Sequence, residues 1–118
     1  MGWKLDSADR ERLLAQFRPR YPRTVADHVT LAARIAIGTG VPDDTPGEVV
    51  GRVDDGRGVE ALVVKIGNST ARPGGGTYHI TWSLDEGRRP KESNDVLAER
   101  AWDPVSPLVP IRLKGARI

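Results

Sequence analysis

Cysteine is absent from this 118-residue chain, which excludes disulfides, thiolate zinc sites and a cysteine nucleophile. Histidine is nearly as scarce, with two in the whole sequence, so a histidine-rich metal centre is not expected and no cofactor is required. No apolar run approaches the roughly 18 residues of a membrane span. The start of the chain, Met1-Gly2-Trp3-Lys4-Leu5-Asp6, has no signal-peptide apolar core. The expectation is a cytoplasmic monomer without a membrane partner. An excess of one charge is missing too: 18 Lys+Arg face 16 Asp+Glu, for a formal net charge of +2. That balance permits a nucleic-acid partner without demanding one.

What is present is ordinary globular material. Hydrophobic residues make up 38% and charged residues 29%, enough for one domain over residues 1–118 and too little for two. Of the 18 cations, 14 are arginine, the better fork for phosphate and the better stacking partner for bases.

Asp6 can cap a first helix with Asp9 three positions on, and Leu13, Leu14 and Phe17 give it a narrow apolar stripe. Pro19 and Pro22 end it. Residues 25–37 read as a strand, with Val29, Leu31 and Ala33 on one face and His28, Thr30, Ala32 and Arg34 on the other. Two β-branched runs at 48–53 and 59–66 flank Asp54-Asp55-Gly56-Arg57, a hairpin signal, and Ala61–Val64 looks buried on both faces. Residues 67–76 form a glycine-rich loop, which suits mobility or close approach to a ligand. Residues 77–83 alternate as another strand, with Tyr78, Ile80 and Trp82 opposite His79, Thr81 and Ser83. A short helix over 94–102 follows, with Ser93 as its N-cap. Residues 107–113 read as a final strand, placed at an edge because Pro110 cannot donate a ladder bond. The fold class is α+β, mainly antiparallel, with two helices and about six strands.

Both histidines stand in the same phrase: His28-Val29-Thr30-Leu31 and His79-Ile80-Thr81-Trp82. With seven threonines in the chain, a chance threonine two after each histidine has a probability of roughly 0.4%. A lone strand histidine usually has a structural role; the duplication argues against that here. Strand alternation puts His and Thr of each phrase on one face and the apolar pair in the core. Two imidazoles with an unperturbed pKa of about 6.5 can divide the labour of base and acid. Two hydroxyls beside them can donate to phosphate oxygens. That equipment suits phosphodiester chemistry without a metal.

On these two phrases the sequence resembles the 2H phosphoesterases, of which it would be a compact member with 51 positions between the histidines. The resemblance implies two pseudo-symmetric lobes around a central cleft. It also implies an enzyme of the kind that includes RNA 2′,3′-cyclic phosphodiesterases and the phosphodiesterase domain of tRNA ligases. His28 and His79 would be the acid/base pair, and Thr30 and Thr81 the phosphate holders. The partner would be an RNA end, or a small cyclic or 2′-5′-linked nucleotide.

The remaining candidates are substrate contacts. Arg34 shares the His28 face, Ser83 continues the His79–Thr81 face, and Arg88, Arg89 and Lys91 follow the second phrase as a basic cluster. Tyr21, between Arg20 and Pro22, is a stacking candidate, whereas Tyr78 belongs to the core face. The competing reading is a non-catalytic RNA- or nucleotide-binding module that uses the same cleft. The aspartate pairs Asp43-Asp44 and Asp54-Asp55 fall in turns rather than on the motif strands, so no carboxylate metal site is expected. Turnover of a cyclic nucleotide should therefore be unchanged in EDTA; loss on chelation, with recovery on adding Mg²⁺ or Mn²⁺, would contradict this.

Overall fold

The computed structural model describes residues 1–32 and 40–118. The described elements run β1 (Gly2–Leu5), α1 (Ser7–Gln16), β2 (Arg23–Thr24), β3 (His28–Thr30), β4 (Thr45–Asp54), β5 (Val59–Lys65), β6 (His79–Leu84), α2 (Glu92–Glu99) and β7 (Asp103–Ala116). The α+β class and the predominance of antiparallel pairing hold. The strands are ordered β2-β6-β3-β1-β7-β4-β5, and a further β5–β6 pairing closes β6, β3, β1, β7, β4 and β5 into a ring. The two-lobe expectation therefore gives way to one closed barrel. Closure pairs every strand of the ring on both sides for at least part of its length.

Alternation fills the barrel. Trp3, Val29, Val49, Leu62, Val64, Ile80, Trp82, Val109, Ile111 and Leu113 meet in one core, and Leu13 and Phe17 of α1 join it. Asp6 caps α1 as read from the sequence, its Oδ2 accepting from the Asp9 N–H at 3.0 Å. Trp82 Nε1 donates to the Phe17 carbonyl at 2.7 Å, tying the end of α1 to β6. A second cluster lies outside the ring, where Val96 of α2, with Leu97 and Trp102, covers Val53, Val59, Ala61 and Leu84. The run Ala61–Val64 is indeed buried on both faces.

Three sequence expectations are corrected. β7 is not an edge strand, because it lies between β1 and β4. Pro110 is tolerated there because β1 pairs only with residues 113–116, so at Glu48↔Pro110 the ladder has one neighbour. Ser93 does not cap α2: Lys91 holds the N-cap position, and the Ser93 hydroxyl is drawn inward to Thr81. Of the strand expected over 25–37, the described residues form a strand only at His28–Thr30 (β3), because Ala26, with φ +47°, turns the chain between β2 and β3; its end, with Ala33 and Arg34, lies outside the described residues. The hairpin at Asp54–Arg57 is present, with Gly56 at φ +70°. Both partners of β4 change register between Val49 and Gly51, a bulge that bends the strand toward closure. Among the described residues no helix is long and apolar enough to cross a membrane.

α1 covers the core through Leu13, with Phe17 at its C-cap beside it. Leu13 is fully buried, so Leu13→Ala should cost about 2–5 kcal/mol in denaturant unfolding. A loss below about 1 kcal/mol would mean that α1 does not seal the barrel.

Candidate active site

Val29 of β3 is paired with Ile80 of β6 in an antiparallel register. Continuing that register by one residue each way sets His28 opposite Thr81 and Thr30 opposite His79. Val29 and Ile80 are fully buried in the core, so the other four side chains share the opposite, outward face. The two phrases thus form a two-by-two block with a local two-fold between the strands. Directly opposed side chains have Cβ atoms about 4.5–5.5 Å apart and diagonal ones about 7–8 Å. Each histidine thus has the other phrase's threonine beside it, with the second histidine across the diagonal.

A cavity of about 650 Å³ opens on this block, lined by His28, Thr30, Arg72, His79, Thr81 and Lys91 among others. Its volume lies in the ordinary range for small-ligand sites. The glycine-rich loop forms one wall through residues 72–75, and Pro90, Lys91 and Asn94 form another.

Each imidazole has one nitrogen committed. His79 Nδ1 donates to the Thr77 carbonyl at 2.7 Å, and His28 Nδ1 faces Asp27 Oδ2 at 3.1 Å. Both partners accept, so Nδ1 carries the proton and Nε2 is left for a ligand. Asp27 is itself held by Lys4 Nζ at 2.5 Å. Burial raises the Asp27 pKa, but the Lys4 and His28 bonds outweigh it and keep the carboxyl ionised below its usual range. Burial pushes the His79 pKa down, as do the nearby charges of Arg72 and His28, against the bond to Thr77. His79 is therefore neutral at pH 7.

The threonines differ. Thr30 Oγ1 has no hydrogen-bond partner among the described residues and is half-buried. Thr81 is buried, donates to the Pro90 carbonyl at 3.2 Å and lies 2.9 Å from Ser93 Oγ.

Of the other sequence candidates, Lys91 lines the cavity, whereas Tyr21, Ser83, Arg88 and Arg89 do not. Ser83 Oγ donates to the buried Glu60 at 2.6 Å and accepts from the Tyr21 N–H. The Tyr21 hydroxyl donates to Asp54 at 2.5 Å, and burial with that carboxylate raises its pKa. Arg52 at 2.5 Å meets the charge of Glu60. Together these groups clamp the segment after α1 onto the barrel. Arg88 is spent on Asp55 and Glu92 and joins its loop to the β4–β5 turn. Arg34 lies outside the described residues. Arg72 is the site residue that sequence reasoning missed.

A second hollow of about 670 Å³, beside Lys4, Asp6 and Arg112, holds no histidine. Among the described residues no group of three or more His, Asp or Glu side chains is placed to hold a metal. Comparison of the chain with protein-family models, curated proteins and solved structures gives no match.

His79 binds a proton more weakly in the fold than in the unfolded chain. Stability is accordingly full above the unfolded value of 6.5 and is lost as the pH falls from there through the folded value. NMR titration should place the His79 midpoint below 6.5, with urea stability declining over the same interval. A midpoint at or above that value would contradict the burial argument.

Proposed function

We propose that this protein is a metal-independent phosphodiesterase that opens a 2′,3′-cyclic phosphate at an RNA end or in a small cyclic nucleotide. The observation that supports it is the Val29↔Ile80 register, which aligns both His–Thr phrases on one face of adjacent strands, beneath one cavity. The local two-fold of that block is the counterpart, at the scale of four side chains, of the pseudo-symmetry in the family the sequence resembles. A binding module has no need of two proton-transfer groups with their Nε2 atoms left open.

Neutral His79 is the base. Its Nε2 takes a proton from water as the water oxygen bonds to phosphorus. The bond from phosphorus to one ribose oxygen then breaks, and that oxygen takes a proton from Nε2 of His28. The product is a phosphomonoester beside a free hydroxyl. Asp27 holds the His28 ring in place, whereas burial disfavours charge on His79. Two environments thus separate the roles of two identical side chains. Thr30 donates to a non-bridging oxygen, and Thr81 does so by turning from the Pro90 carbonyl.

His28→Ala and His79→Ala should each lower kcat for 2′,3′-cyclic CMP by about 10²–10⁴-fold. Thr30→Val should cost less, since one donor is lost. Full turnover in either histidine variant would sink the mechanism. The rate should also be bell-shaped in pH, because one imidazole must be charged while the other is not; a profile flat from pH 5 to 8 would refute the division of labour.

A further inference from the structure

The phosphate's negative charge needs a partner that the four motif residues supply poorly. Thr81 already spends its hydroxyl proton on Pro90, and Arg88 is neutralised by Asp55 and Glu92. Arg72 is differently placed. It lines the cavity with both histidines, and among the described residues it forms no ion pair with a carboxylate. Its guanidinium is nonetheless fixed. Nε donates to the Gly75 carbonyl at 3.1 Å and Nη2 to Asn94 Oδ1 at 3.0 Å. Asn94 is in turn held by the Lys91 carbonyl at 3.0 Å.

The loop is shaped around that group. Arg72 N–H donates to the Gly76 carbonyl and Gly75 N–H to the Arg72 carbonyl, closing residues 72–76 into a tight turn. Gly75 and Gly76 have φ of +105° and +86°, and a Cβ on Gly76 would lie 2.6 Å from Arg72 Nη2. The guanidinium therefore rests on backbone that a side chain would displace. Of its five N–H donors two are used, which leaves three for a ligand. An oriented, unneutralised fork in a small cavity matches two oxygens of a phosphate.

We propose that Arg72 is a substrate-contacting residue that binds the non-bridging oxygens of the scissile phosphate, presented by the glycine-rich turn and aimed by Asn94. This rests on the phosphodiesterase reading for its substrate, though the anion site itself is read from the loop and α2. The role is one of charge. The guanidinium meets the phosphate in the ground state and holds it more strongly as charge grows on the oxygens during attack.

The test uses the full chain and three variants, with 2′,3′-cyclic CMP for turnover and 3′-CMP for binding. Arg72→Ala should weaken 3′-CMP binding by tenfold or more and lower kcat/KM by about 10²–10³-fold, with an unchanged unfolding midpoint. Arg72→Lys should recover part of the binding, since it restores the charge without the fork. Asn94→Ala keeps the charge and loosens its aim, so kcat should fall more than binding does. A folded Arg72→Ala protein whose binding and turnover stay within twofold of wild type would overturn the inference while leaving the phosphodiesterase reading intact. If the wild type fails to cleave cyclic CMP yet binds 3′-CMP through Arg72, the anion site is upheld and the catalytic reading falls. A wild type that neither cleaves nor binds overturns both.

Discussion

The site depends on the pairing of Val29 with Ile80. A slip of one residue in β3 would send His28 and Thr30 to the face opposite His79 and Thr81. A slip of two would keep the face and ruin the arrangement, and the neighbouring strand shows how near that alternative lies. β2 pairs with β6 as Arg23↔Leu84 and Thr24↔Ser83. Continued without interruption, that register would set His28 directly opposite His79, leaving the threonines at the outer corners. Two extra residues on the β2–β3 side prevent it. Ala26, buried and in a left-handed conformation, turns the chain while its N–H donates to the Thr81 carbonyl at 3.0 Å. The bulge converts facing histidines into diagonal ones, with a hydroxyl beside each imidazole.

The barrel gives this block its rigidity. Val29 and Ile80 are locked into a core shared with Trp82, Leu62 and the α1 residues, and ring closure fixes β6 between β3 and β5. Catalytic geometry is held best on such strands. The cavity walls, by contrast, come from a glycine-rich turn and from the start of α2, the segments that most readily adapt to a ligand. Burial under these walls also sets the two imidazoles in different surroundings: His79 is enclosed and kept neutral, while His28 faces a carboxylate and is more open.

Much of this was legible as periodicity and little as placement. Alternation in His79–Trp82 and His28–Leu31 put the right side chains on the right faces, because a strand's period is fixed by its pleat. Asp-Gly marked the β4–β5 turn for a similarly local reason. Register was not legible, because it rests on one alanine adopting a conformation usual for glycine. Barrel closure was hidden too, since Pro110 argues for an edge until the reach of β1 is known. Ser83 shares a parity with Thr81, but Glu60, set in the otherwise apolar stretch Val59–Val64, captures it. Arg72 left one trace: it is the sole cation within the glycine-rich run Gly67–Gly76 that precedes the second phrase.

The account's central claim is that the two histidines share one phosphate. Side-chain ¹H–¹⁵N spectra of both imidazoles, recorded while 3′-CMP is titrated into the protein, test it most directly. The account predicts that Nε2 signals of His28 and His79 move together along one saturation curve, with the Nδ1 protons on Asp27 and Thr77 retained. Movement of a single imidazole, or of the two with separate affinities, would show that they do not serve the same site.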